Sequence, residues 1–348
     1  MTRPLRRAVL VLACLALCGG LLAACGGDDD KGDAGANQLL QQTFGNSASA
    51  IETGRLNLSF QLDPEGLLAL GGPIKLRLDG PFAAPARGDL PRFDVDFLAT
   101  LAGQRFDGGV QSTGKQAFVT LDKRPYRVDG ATVADLREGL GPVSGDKPQA
   151  GLKAIGIDPL RWISNAQEKG SERVAGVDTT RIGGNVDAER LLADLDRLLT
   201  KAGGASGAGA GSLLTPKLRT QIADAVETAK VDVWTGTSDK LLRQLAVAIK
   251  FAFEKGTEPP IPGLDAGTID LRLRLDDVNE TKVDVRAPSS PRPLSRLTGG
   301  SLGNFLQGIG EGLTNGSSGL VGGALLKCIN GAGGKSTSLV RCVSKLAA

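Results

Sequence analysis

Residues 231–253, VDVWTGTSDKLLRQLAVAIKFAF, carry the pattern that decides the fold. Val231-Asp-Val-Trp234 runs into a polar turn over Thr235 to Lys240. Out of it comes a strand with Leu245, Val247, Ile249, Phe251 and Phe253 on one face. Apolar residues at every second position predict a strand with one covered side, and a short polar turn between two such runs predicts an antiparallel pair. Working outward, Ile269, Leu271, Leu273 and Leu275 alternate with Asp270, Arg272 and Arg274, and Val283 and Val285 close the set before Pro288.

Toward the N-terminus the same period recurs. Leu56, Leu58, Phe60 and Leu62 alternate with polar residues, as do Ile74, Leu76 and Leu78. Phe93, Val95 and Phe97 do so with Asp94 and Asp96 between them, two carboxylates read as a solvated sheet face. Further strands are expected at 104–111 and 115–121, joined by Ser112-Thr113-Gly114.

Helices are interposed. A short one is expected over 38–44. Asp158-Pro159 predicts another, with Asp as N-cap and Pro at the first helical position, ending near Gly170. After strands at 172–177 and 178–185, Asp187 caps a helix with Leu191, Leu192, Leu195, Leu198 and Leu199 on one stripe. The Gly/Ala/Ser run 203–212 is a linker, and Thr215-Pro216 opens a further helix. Strands, then helices, then strands predict an α+β fold: a large curved antiparallel sheet, a half-barrel, wrapped around helices.

From Pro288 the composition shifts to Gly, Ser and Leu. Leu302 to Leu313, Leu320 to Cys328 and Leu339 to Leu346 follow helical spacing, a small helical C-terminal appendage. The N-terminus reads differently. Arg3, Arg6 and Arg7 precede an apolar run, Ala8 to Leu17, too short for a stable membrane span. Leu22-Ala-Ala-Cys25 follows and looks like a lipobox, then a Gly/Asp-rich tether over 26–37 that reaches roughly 40 Å when extended. This predicts a secreted chain, extracytoplasmic and held to the cell membrane by lipid on Cys25. The alternative is an ordinary signal peptide in which Cys25 is incidental. The expected organisation is a signal peptide over 1–24, a lipidated tether over 25–37, a main domain over 38–288 and a Gly-rich region over 289–348.

Composition bounds the chemistry. Removing 1–24 takes three arginines and no acids, so Lys+Arg falls from 41 to 38 and equals Asp+Glu at 38. A formally neutral chain carries no electrostatic footprint for nucleic acid. Hydrophobic residues make up 41% of the chain, enough for a core, and histidine is absent. That removes the usual proton shuttle, the commonest metal ligand and every Ser-His or Cys-His nucleophile pair. Neither an enzyme, a metal site nor a cofactor is expected. Of the cysteines beyond Cys25, Cys328 and Cys342 form an even pair in an oxidising compartment and are expected to be bonded; a free or metal-binding pair is the weaker alternative.

Local motifs add nothing catalytic. Ser112–Lys115 and Ser144–Lys147 match Ser-x-x-Lys, but both sit in Gly- or Pro-containing turns, without the companion motifs. Gly334-Lys335-Ser336 matches the end of a phosphate loop, but Ile329 stands where its first glycine belongs.

Val231-Asp-Val-Trp234 followed by Asp239-Lys-Leu-Leu-Arg-Gln-Leu245 resembles the actinobacterial LppX/LprAFG lipoprotein family. Leu275-Asp-Asp-Val-Asn279, Val283-Asp-Val285 and Ala287-Pro288 resemble its closing strands. The resemblance extends over about 38–288, and the insertion at 203–212 and the cysteine-bearing C-terminus depart from it. It implies a LolA/LolB-like fold with an apolar cavity, and a ligand that is an acylated lipid or lipoglycan of the cell envelope. Candidate lining residues are Leu192, Leu195, Leu245, Val247, Ile249, Phe251, Phe253, Leu271 and Leu273. Each serves a filled core equally well, so an envelope scaffold or sensor binding a protein partner stands as the alternative.

Overall fold

The computed structural model describes residues 33–46, 51–66, 72–84, 89–139, 158–204, 216–254, 264–280, 282–298 and 323–345. The expected signal peptide, Cys25, Ser144–Lys147, the 205–212 part of the linker, Leu302 to Leu313, Leu320 and Leu346 lie outside them. Among the described residues no helix is long and apolar enough to cross a membrane.

Two antiparallel meanders make one open sheet. The first runs β1 (Thr53–Glu65), β2 (Ile74–Ala83), β3 (Arg92–Leu101), β4 (Gln104–Thr113), β5 (Ala117–Leu121) and β6 (Arg124–Arg127). The second runs β7 (Ile163–Val174), β8 (Val177–Val186), β9 (Val226–Gly236), β10 (Leu242–Ala252) and β11 (Ala266–Asp276). β1 pairs with β11, so the first and last long strands lie side by side at the centre. A two-residue β12 (Arg292–Pro293) adds in parallel to β6, giving the order β12-β6-β5-β4-β3-β2-β1-β11-β10-β9-β8-β7. The sheet is unclosed, and the α+β half-barrel expected from the alternation is what forms.

Helices pack on its apolar face. α1 (Ala34–Gln41) continues into a π turn, Gln42–Asn46, and buries Ala36, Leu40 and Phe44. The Thr43 hydroxyl there meets that of Thr235 on β9 at 2.9 Å, a buried polar pair that satisfies both groups. α2 (Gly130–Gly139) is capped by Asp129, whose carboxylate accepts from the Thr132 amide at 2.8 Å. α3 (Ala188–Gly204) is capped as expected, with Asp187 accepting from the Arg190 amide at 3.0 Å. Asp194, 1% exposed, accepts from the Asp158 amide at 2.6 Å and pairs with Arg197, fixing α3 against the turn before β7. α4 (Pro216–Asp224) is tied to α3 by Arg219–Asp196 at 3.1 Å. α5 (Ser295–Thr298), α6 (Gly323–Ala332) and α7 (Ser336–Val343) follow β12.

Two expectations are corrected. The helix from Asp158 to Gly170 is a 3-10 turn, Pro159–Arg161, followed by β7. The Asp-Pro signal starts a turn that the sheet then overrides. β7 hydrogen-bonds to β8, and Asn165 (φ 51°) and Gly170 (φ 101°) sit where its register slips. Val283 and Val285 form no strand, although Val283 is buried. β11, the strand they follow, already pairs with β1 and β10, so neither of its sides is free for them.

The C-terminal helices are joined by the Cys328–Cys342 disulfide, 14 residues apart in sequence. In the chain-entropy account such a closure contributes about 3 kcal/mol. Reduction is therefore expected to open this hairpin first, read as loss of amide protection over 323–345 while β9 and β10 stay protected. The hairpin docks through polar contacts. Asp122 lies in the β5–β6 turn, where Asp122 and Lys123 both have positive φ, as a type I′ turn requires. Its carboxylate accepts from the Ser336 and Thr337 amides at 2.9 and 3.0 Å, at the N-terminus of α7. Burial pushes the Asp122 carboxyl up, but the hydrogen bonds from Thr337 and Ser336 outweigh it and hold the group below its ordinary value of 3.8. A lowered carboxyl stabilises when charged. Its contribution is full above the unfolded value and is lost as pH falls below 3.8 through the folded value. Protection factors over 336–343, taken against the intrinsic exchange rate at each pH, should fall in that window, and Asp122→Asn should abolish that fall.

Candidate functional site

The sheet has two unlike faces. On one, Lys75, Arg77, Asp94, Asp96, Asp270, Arg272 and Arg274 are exposed, and Arg274 pairs with Asp276 at 3.0 Å. Asp79 meets Arg55 across the strands, and a hydrogen bond to Asp79 raises the guanidinium above its ordinary value. Pairs this open to water contribute little stability and act mainly to keep that face wet.

The other face is apolar in continuous rows, and coverage along a row is uneven. One row runs Ile182, Val233, Leu245, Leu273, Leu58, Leu78 and Phe97 across seven neighbouring strands. Ile182 is 1% exposed, Val233 0% and Leu245 6%, whereas Leu273, Leu58, Leu78 and Phe97 are only half-buried. The next row repeats the gradient: Val231 and Val247 are buried, Leu271, Phe60, Leu76 and Ala99 half-buried, and Phe106 buried again.

The reason is where the helices sit. On one flank Ala36, Leu40 and Phe44 of the N-terminal segment, Trp162 and Leu191 pack with Val231, Val233 and Leu245. On the other flank Val340 of α7 packs with the cluster of Leu121 and Phe97, and Ile329 and Leu339 pack with Phe106. The Phe97 ring lies over Gly108 of β4, where a Cβ would come within 2.5 Å of it, so that flank closes tightly. A fourth cluster, Ala225, Phe251 and Leu264, gathers Leu62, Phe253 and Ile269 at the end of the strands. Leu58, Phe60, Leu76 and Leu78 belong to none of these four clusters.

Those four residues form a compact block, Leu58 opposite Leu78 and Phe60 opposite Leu76. Leu273 and Leu271 extend it onto β11. Leu62, paired with both Ile74 and Ile269, adds a third row. Three strands by three rows give an apolar floor roughly 10 Å across and 14 Å long at ordinary strand spacing. Among the described residues the helical clusters lie to either side of this floor, which makes it the base of a trough between them.

The sequence-derived residues distribute over this plan. Leu245 and Val247 lie in the packed flank, with Ile249, Leu271 and Leu273 against its margin. Phe251 and Phe253 stand edge to face, 5.8 Å apart, in the end cluster. Leu192 is half-buried and Leu195 is 40% exposed on α3, and neither joins the clusters. The residues of β1 and β2 that form the floor were not among the candidates, although their alternation had been read.

Among the described residues no group of three or more Cys, Asp or Glu is placed to hold a metal ion. Ser112 is fully buried in its turn, where its hydroxyl accepts from the Gly114 amide at 3.2 Å, and Lys115 is exposed.

No family model and no curated protein matches the chain. Among solved structures it is similar to the Mycobacterium tuberculosis lipoprotein LppX, 15% identical over 73% of this chain and 100% of that one, with a TM-score of 0.36. It is similar also to LprF from Mycobacterium bovis, 13% identical over 74% and 99%, with a TM-score of 0.39. A lipoprotein-sorting protein domain from Vibrio parahaemolyticus, described as putative and of the outer membrane, follows at 10%, over 75% and 95%, with a TM-score of 0.19. The family resemblance drawn from the sequence has its counterparts here. At these values the likeness carries no argument for function, and the fold stands on its own strand order and register.

Proposed function

We propose that this protein is a non-catalytic lipoprotein of the cell envelope, anchored through Cys25, that holds the acyl chains of a lipid in the trough over β1, β2 and β11. The observation that carries the reading is the Leu58, Phe60, Leu76 and Leu78 block, apolar, half-buried and outside the four packed clusters of the described residues. Leaving such a surface in water is unfavourable, and a ligand that covers it recovers about 0.8 kcal/mol per buried methylene. Ten methylenes would contribute roughly 8 kcal/mol before the cost of association, so affinity rises with every further methylene laid along the floor. The packed flanks supply walls, and the charged outer face keeps the back of the sheet in water.

The test is a titration of the full chain, stripped of bound lipid by solvent extraction, with a fluorescent sixteen-carbon fatty acyl probe. Saturable uptake with a small whole-number stoichiometry, displaced by unlabelled acyl lipid, supports the reading. Failure to take up the probe overturns it and directs attention to a protein partner for the same surface.

A further inference from the structure

Arg243 occupies a β-bulge at the start of β10, where pairing with β9 slips between Leu242 and Gln244. Although charged, it is only 4% exposed. Leu241, Leu242 and Leu245 around it all belong to the large buried cluster, as does Leu275 of the neighbouring strand. A guanidinium in such surroundings requires partners for its donors. One arm has one: Nη2 donates to Asp239 Oδ2 at 2.5 Å. The other does not. Nη1 is buried and has no acceptor. Buried polar groups are so regularly satisfied that an orphaned donor on a charged side chain asks what fills its place.

The charge balance narrows the answer. Asp239 already neutralises Arg243, and the same carboxylate is held in place by the Leu241 amide, which it accepts at 3.0 Å. A second carboxylate or a phosphate at Nη1 would leave excess negative charge among Leu242, Leu245 and Leu275. An uncharged carbonyl oxygen satisfies the donor and adds no charge. Position agrees: the pairing of Leu245 with Leu273 and of Gln244 with Arg274 puts Arg243 one row beyond the floor, beside Leu275 and diagonal to the floor residue Leu273.

We propose that Arg243 Nη1 is the site for an ester carbonyl of the bound lipid, so that the trough takes acyl-ester lipids in preference to their ether-linked or free-acid counterparts. The proposal rests on the lipid reading above and specifies the headgroup end of the ligand.

The test compares three ligands presented to the full chain from detergent micelles: dipalmitoyl glycerol, its ether-linked dihexadecyl counterpart, and palmitate. The wild-type chain is expected to bind the ester about ten-fold or more tightly than the ether, the range for a hydrogen bond to a charged group. Arg243→Lys keeps the pair with Asp239 but lacks the second arm, and should bind ester and ether alike. Arg243→Met with Asp239→Asn removes both charges, leaves neither unpaired, and should also lose the preference. Both variants are checked for wild-type far-ultraviolet circular dichroism. Equal binding of ester and ether by the wild-type chain, tightest binding of palmitate, or a preference that survives in both variants would each overturn the ester site while leaving lipid binding intact. Binding of none of the three would instead remove the lipid reading on which it stands.

Discussion

Replacing Trp162 with alanine is expected to lower the unfolding free energy by about 3–5 kcal/mol, the ordinary cost of deleting a fully buried large aromatic. Trp162 is 2% exposed and follows the Pro159–Arg161 turn directly. There it packs in one cluster with Ala36, Leu40 and Phe44 from the start of the domain and Ile182, Val231 and Val233 from the sheet. Its backbone carbonyl also accepts from the Asp187 amide at 2.8 Å, so the same residue fixes the start of α3. At roughly 2–4 °C per kcal/mol for a domain of this size, the thermal midpoint should fall by about 10 °C. Trp162→Phe separates packing from polarity. The indole Nε1 is buried without an acceptor, so phenylalanine removes an unsatisfied donor and keeps most of the volume. Its cost should be well below that of alanine, measured by denaturant titration of both variants. A loss under about 1 kcal/mol for alanine would mean that this flank is not the packed wall described.

The trough floor should respond in the opposite way. Leu58→Lys combined with Leu78→Glu puts opposite charges directly across from each other on neighbouring strands, an arrangement that sheets tolerate. Both positions are half-buried and outside the four packed clusters, so the expected loss of stability is under about 2 kcal/mol. Two charges in the middle of the floor should nonetheless weaken uptake of an acyl probe by at least about a hundred-fold, because the ligand would have to desolvate them. A variant that unfolds as readily as Trp162→Ala would show the floor to be part of the core. One that stays folded and binds normally would place the ligand elsewhere.

Much of the architecture was legible because period two survives in single strands. Val231 to Phe253, Ile269 to Leu275 and Leu56 to Leu62 announced themselves as strands, and Asp187 and Thr215-Pro216 announced helices, through alternation and capping chemistry alone. The failures share a cause. Asp158-Pro159 carries a true helix-start signal, but Asn165 and Gly170 supply the positive φ values at which β7 slips register, and hydrogen bonding to β8 decides the outcome. β6 and α2 lie outside the elements that alternation and helical spacing predict, although Asp129-x-x-Thr132 holds a readable cap.

The site was less legible than the fold for a plain physical reason. Leu58 and Leu245 sit in the same kind of alternating pattern and in the same cross-sheet row, yet one is only half-buried and the other 6% exposed. The difference lies in which helices reach them from distant parts of the chain, and alternation records only the face, not its cover. Arg243 is a partial exception. An arginine at the entrance to the apolar run Leu245–Phe253 breaks the pattern visibly, but the bulge that buries it and the arm left unpaired are properties of the folded chain.

The most direct test of the central claim is to purify the full chain in mild detergent from the envelope that makes it, extract it with solvent, and identify the extract by mass spectrometry. The account predicts near-stoichiometric recovery of one class of acylated, ester-bearing lipid, and its loss from the Leu58→Lys, Leu78→Glu chain prepared in parallel. Recovery of no lipid from the wild-type chain, or equal recovery from both, would contradict it.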